Sequence, residues 1–185
     1  MVLFRPLIKF FVLFFSTVLV CLLATTAIAA SGLTDQSKVA INGIGGIRIG
    51  MTVAEASRSA NVQLVREEGD SNDSCFYVNP KNSPTGIGFM VTEGQIARVD
   101  IWENRRITTL SGAKIGDRET RIKALYPGKI RVTPHQYVEG GHYLTFEPSD
   151  PADQTYRVVF ETDGQRVTRY RSGKLPEVEF VEGCA

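Results

Sequence analysis

A chain of 185 residues, 43% of them hydrophobic, can bury a core in one domain or in two small ones. The formal net charge is +1, and Arg5 and Lys9 fall in an N-terminal leader, which leaves +1 − 2 = −1 for the remainder. That balance excludes the strongly basic footprint of a nucleic-acid binder and the polybasic run that holds a protein to an anionic membrane.

Residues 1–29 have the layout of a signal peptide. Arg5 and Lys9 form the positive region, Phe10 to Leu23 the apolar region, and Ala27-Ile28-Ala29 the small-x-small site before the cut. The competing reading is an uncleaved anchor, because no charge separates Lys9 from Asp35. Only in that form is membrane attachment expected. Cys21 follows Val20 rather than a small residue, which argues against lipidation. The expected location is therefore periplasmic or extracellular. There Cys75 and Cys184, the cysteines left after cleavage, pair most simply with each other. Free thiols or an intermolecular bridge are the alternative. No clustered Cys/His spacing offers a metal site, and neither metal nor cofactor is expected.

Residues 30–45 mix small and polar types around Asn42-Gly43 and Gly45-Gly46 and read as a linker. The first unit, 46–109, opens with Gly46 and a short strand at Ile47–Ile49. Thr52-Val53-Ala54-Glu55 is a capping box for a helix from Val53 to about Ala60, with Ala54, Ala56 and Ala60 forming a small-residue face. Leu64 and then Cys75–Val78 read as strands, the second stopped by Asn79-Pro80. Ile87, Phe89 and Val91 alternate into Glu93-Gly94, and Ala97, Val99 and Ile101 alternate out of it, as in a hairpin.

The second unit, 110–185, repeats this order. Gly112 to Gly116 echoes Gly46 to Gly50, and Asp117 is placed to cap a helix from Arg118 to about Tyr126 that turns Ile122 and Leu125 inward. Ile130 and Val132 begin a strand, and Tyr143–Phe146 is stopped by Glu147-Pro148. Tyr156, Val158 and Phe160 run into Asp163-Gly164, a type I′ turn signal. Glu177–Glu182 reads as a last strand. Matching positions drift slowly apart, by 66 residues at Gly50/Gly116, 68 at Pro80/Pro148 and 70 at Gly94/Gly164, as loop insertions would cause. The expected fold is α+β, two tandem related units, each a short helix on a small antiparallel sheet.

That element order, duplicated in an exported chain, resembles the beta-lactamase-inhibitor-protein-like architecture. Ile49-Gly50-Met51-Thr52 and Glu55 also resemble the helix start of outer-membrane assembly lipoproteins of the SmpA/OmlA type. The resemblance covers element order over 46–182 and specific residues around 46–56 and 112–122. It implies a scaffold that binds other proteins; no inhibitory residue carries over, and the lipidation motif of the assembly lipoproteins is missing.

The glycines at 43–46 lack the third glycine of a dinucleotide fingerprint, and no Gly-x-Ser-x-Gly elbow occurs. His135, Glu139 and His142 would form a metal or acid–base cluster if a hairpin closed them together; otherwise Gly140-Gly141 is a plain turn. Residues 134–143, including Tyr137 and Tyr143, have no counterpart of like composition in the first unit, which makes this loop the candidate for recruitment to binding. Trp102 falls on the face of Arg98 and Asp100, where it either covers the second unit or anchors a partner. Arg166, Arg169, Arg171 and Lys174 read as one side of a hairpin whose other side carries Glu177, Glu179 and Glu182. The functional expectation is an exported, non-catalytic protein-binding module, inhibitor-like or envelope-associated, with an unknown protein partner. A secreted hydrolase or metal-dependent enzyme using the 134–143 loop is the alternative.

Overall fold

The structure, a computed structural model, describes residues 32–67 and 73–184; the leader, its cleavage site and Cys21 lie outside the described residues. Three short strands come first: β1 (Lys38–Ala40), β2 (Gly43–Ile44) and β3 (Ile47–Arg48). The helix α1 (Val53–Ser59) follows, then β4 (Leu64–Arg66), β5 (Cys75–Pro80), β6 (Ile87–Thr92) and β7 (Gln95–Ile101). After β8 (Thr108–Thr109) come α2 (Glu119–Leu125), β9 (Ile130–Pro134), β10 (His142–Phe146), β11 (Tyr156–Thr162) and β12 (Val167–Lys174).

The fold is α+β. Eight strands form one antiparallel sheet in the order β4-β5-β6-β7-β12-β11-β10-β9. Each unit is a four-stranded meander, and the two join edge to edge at β7 and β12, where Ile101 pairs with Tyr170 and Arg98 with Gly173. A small sheet, β3-β2-β1-β8, and both helices pack on its inner face. One apolar core there takes Val39, Ile44 and Ile47 from the small sheet, Ala56 and Ile122 from the helices, and Phe89, Val99, Phe160 and Tyr170 from the large one. The units thus share a core rather than owning one each. Ser172 ties the layers together: its hydroxyl lies 2.8 Å from both the Ala40 and the Ile41 carbonyl, which share its one proton.

The expected capping box is present. Thr52 Oγ1 accepts from Glu55 N, and Glu55 accepts from Thr52 N at 2.8 Å. Gly50 and Gly116, at φ of +92° and +91°, make the same turn in both units. Gly50 N donates to Ile96 O and Ile96 N to Met51 O; Gly116 N donates to Val167 O and Val167 N to Asp117 O. These bonds pin each strand-to-helix turn to the second strand of its hairpin.

Several local expectations differ from what is observed. The described part of the expected linker, 32–45, is not a plain connection: Val39 and Ile44 are fully buried in β1 and β2. Ala54 is exposed, and only Ala56 and Ala60 of the expected small-residue face reach the core. Arg118, without a side-chain bond, occupies the α2 cap, because Asp117 turns back to accept from Lys114 N at 3.0 Å. The turn chemistries are exchanged. Glu93-Gly94 is the tight two-residue turn, both residues having positive φ, whereas Asp163 opens a wider loop by accepting from the amides of Gln165 and Arg166. Both hairpins carry a register shift in the same place, opposite Ala97 and opposite Thr168. In the first hairpin this makes Ile96, not Ala97, the core residue that precedes Val99.

The stretch Glu177–Glu182 is not a strand. Both sides of β12, the strand it follows, are already taken by β7 and β11, so it cannot fold back as a hairpin partner of β12. A 3-10 turn at Glu177–Glu179 begins a strap, residues 175–184, that crosses the outer face of the sheet. It ends at the Cys75–Cys184 disulfide, which closes a sequence separation of 109. Among the described residues no helix is long and apolar enough to cross a membrane.

Two substitutions test this architecture. A Cβ on Gly173 would stand 2.5 Å from Ala97 O and 2.8 Å from Arg98 Cα, so Gly173→Ala forces the seam apart. Urea denaturation is expected to show a loss of roughly 1–3 kcal/mol. Replacing both Cys75 and Cys184 with alanine is expected to cost roughly 2–4 kcal/mol in the same assay.

Candidate functional site

Two arginines at the seam hold the strap. Arg98 of β7 and Arg171 of β12 are 3% and 4% exposed, on the face of their strands away from the shared core. A guanidinium buried so deeply must have its N–H groups satisfied. Arg98 Nη1 donates to Glu177 O at 2.8 Å and Phe180 O at 2.7 Å, Nε to Asp100 Oδ2 at 2.8 Å, and Nη2 to the Tyr77 hydroxyl at 2.5 Å. Arg171 Nε donates to Val178 O at 2.6 Å, and its Nη1 donates to the buried Glu161 carboxylate. The strap in turn seals an apolar cluster of Tyr143, Val159 and the fully buried Val178.

Side chains fasten the strap further. Glu177 accepts from Thr92 Oγ1 at 2.8 Å and pairs with Lys174 at 3.1 Å, and Glu179 meets Arg131 at 2.9 Å. The expected hairpin of cross-strand charge pairs is thus replaced by pairs between the strap and the sheet beneath it. Burial works against the Arg98 charge, but Asp100 and Tyr77 hold its pKa above the ordinary value. Burial and the neighbouring Asp100 charge push the Tyr77 phenol up. Burial also opposes the Glu177 charge, but its own amide, the Thr92 hydroxyl and Lys174 outweigh it and keep the carboxyl below the usual range.

Beside the strap lies a cleft of about 340 Å³, bounded by the strap at Val181–Gly183, by Tyr77 and Asn79 of β5, and by Asp100, Trp102 and Arg169 at the seam. Trp102 is half-buried and on the side of Arg98 and Asp100. Its ring lies over Gly88, where a Cβ would stand 3.0 Å from two indole carbons.

The 134–143 loop does not gather its histidines. His135 is stacked on Tyr143, ring centroids 4.4 Å apart, on the outer face. Its Nδ1 accepts from the amides of Tyr137 and Val138 at 3.1 and 3.2 Å, so the ring proton sits on Nε2, 3.4 Å from Glu161. His142 instead bonds Glu119 of α2 through Nδ1 at 2.8 Å. Glu139 is exposed and meets neither, and no group of three metal-capable residues occurs among the described residues. Tyr137, 61% exposed, donates its hydroxyl to Glu182, which joins the loop to the strap beside the cleft.

Arg98, Arg171 and Glu161 were missed as site residues by sequence reading. The available signal was an arginine between apolar residues on a central strand, as at Ala97-Arg98-Val99.

No family model matches the chain, and no curated protein matches it. Among solved structures it is similar to the uncharacterised protein YfeY from Escherichia coli, with a TM-score of 0.48 and 14% identity, over 74% of this chain and 99% of that one.

A carboxylate held below its unfolded value stabilises the fold above that value and loses the contribution as pH falls through the folded one. With an unfolded glutamate near about 4.3, the strap is expected to be firm at neutral pH and to loosen below about pH 4. Hydrogen-exchange protection at Glu179 and Phe180 checks this. Glu177→Gln should lower protection at neutral pH and flatten its pH dependence.

Proposed function

We propose that this chain is an exported protein-binding module, inhibitor-like or envelope-associated, whose contact face is the strap side of the sheet. The observation that carries the reading is a fixed, partly apolar surface around the strap. Tyr137, Val138 and Phe180 are 61%, 40% and 41% exposed there, beside a cleft floored by Trp102. Exposed aromatic residues on a rigid frame are the usual anchors of protein recognition, because little conformational entropy is lost when they are covered. The frame is rigid here for stated reasons: two buried arginines, an apolar cluster and a disulfide hold the strap.

Export supports this reading from two sides. The 1–29 segment has the signal-peptide layout, and the Cys75–Cys184 bond suits an oxidising compartment. The imidazoles of the 134–143 loop are engaged in structural bonds, His135 within its loop and to Glu161, His142 to α2. That arrangement favours a loop that presents side chains over one that performs chemistry.

The test is capture of an envelope or secreted partner by the purified protein, followed by binding measurements on Trp102→Ala and on Tyr137→Ala combined with Phe180→Ala. Each variant is expected to weaken binding by about 1–3 kcal/mol with an unchanged circular dichroism spectrum. Unchanged affinity in both would sink the reading. So would a hydrolytic or metal-dependent activity abolished by His142→Ala.

A further inference from the structure

We infer that the seam cleft receives a guanidinium group, an arginine side chain presented by the partner. This rests on the protein-binding reading above and names what that surface selects. At about 340 Å³ the cleft has room for one large side chain, near the lower limit for ligand pockets.

Its hydrogen-bonding balance sets the chemistry. Arg98 and Arg171, 3% and 4% exposed, direct their bonds to the strap carbonyls, Asp100, Tyr77 and Glu161. What remains open is mostly acceptor. Glu67 is exposed and forms no ion pair among the described residues, and Glu182 takes only the Tyr137 hydroxyl. Asp100 binds Arg98 through Oδ2 and has its other oxygen left over. Asn79 Oδ1 is buried in the wall and has no hydrogen-bond partner among the described residues. The donor side is thin: Arg169 stands 3.5 Å from Glu161 and the rest of its guanidinium faces solvent.

A ligand that complements this site is cationic, rich in donors and without acceptors, and flat enough to lie against the Trp102 indole. A guanidinium has all of these properties: five N–H donors in a plane, a permanent charge and a preference for aromatic faces. An ammonium supplies the charge without the plane or the five donors. An anion would meet Arg169 alone, against Glu67 and Glu182. The opposed charges in the walls also set a direction of entry, with the guanidinium toward the β5 and strap side and away from Arg169.

Trp102 is the single tryptophan of the chain, so its fluorescence reports on the cleft directly. The purified protein is titrated at constant ionic strength with Nα-acetylarginine amide, and in parallel with the acetylated lysine, glutamine and glutamate analogues. The expected result is a saturable change with arginine at concentrations about tenfold below those needed for glutamine, with lysine between them. Glu67→Gln with Glu182→Gln, both at exposed positions, should weaken the arginine response about tenfold while the spectrum of the free protein is kept. A response to glutamate equal to that for arginine, no saturable response to arginine, or indifference to the double substitution would each overturn the inference. Partner capture separates the two levels. If Trp102→Ala abolishes capture while arginine gives no response, the chemistry assigned to the cleft is wrong and the binding reading survives. If capture is also insensitive to Trp102→Ala, both fall.

Discussion

Burying two arginines in the middle of a sheet is expensive unless every N–H finds an acceptor, and this need organises the outer half of the molecule. Arg98 and Arg171 sit on the two central strands, on the face away from the main core. The sheet offers them Asp100 and Glu161, one carboxylate each. The Tyr77 hydroxyl of β5 takes a further Arg98 N–H, and the strap adds the carbonyls of Glu177, Val178 and Phe180. The dependence is mutual. A segment with irregular backbone lying on a sheet has no ladder to satisfy its carbonyls, and the guanidinium groups do so instead. Gly173 completes the arrangement, because any side chain there would occupy the space of the Arg98 backbone and Cβ.

From this follows the asymmetry of an otherwise matched pair of units. The Gly50 and Gly116 turns, the hairpin register shifts and the four-stranded meanders correspond. The inner face treats the units alike, with a short helix over each. The outer face does not: the strap covers Tyr143 and Val159 of the second unit and leaves a cleft between itself, β5 and the seam. The loop after β9, which has no counterpart of its kind in the first unit, reaches the strap through Tyr137 and Glu182. The features that set the halves apart thus meet on one surface.

Much of the inner face was legible from local chemistry. Thr52 and Glu55 announce a capped helix, because the bonds they make span three residues. The alternation at Ile87–Val91 and Tyr156–Phe160 announces strands with one buried face. The Cys75–Cys184 pair is the simplest expectation for the two cysteines that follow the leader in a chain read as exported. What sequence reading missed depends on distant partners. Glu93-Gly94 turns tightly despite a weaker signal, with both residues at positive φ, whereas Asp163 spends its carboxylate on the Gln165 and Arg166 amides and widens its own loop. Glu177-Val178-Glu179-Phe180 alternates as a strand does, yet β12, the strand it follows, already pairs with β7 on one side and β11 on the other. The histidines of the 134–143 loop are seven residues apart in sequence but face different layers, His135 toward Tyr143 and His142 toward α2. The candidate site was therefore half visible: the half-buried Trp102 and the exposed Tyr137 as aromatics, but not the arginines that fix the surface around them.

The central claim, that buried arginines anchor the strap onto an independently stable sheet, is tested most directly by residue-resolved hydrogen exchange on Arg98→Met with the disulfide intact. The account predicts that protection falls at Glu179 and Phe180 while the amides of β7, β12 and β11 stay protected. Unchanged protection in the strap would contradict it. So would a uniform loss across the sheet, which would make Arg98 a support of the whole core rather than of the strap.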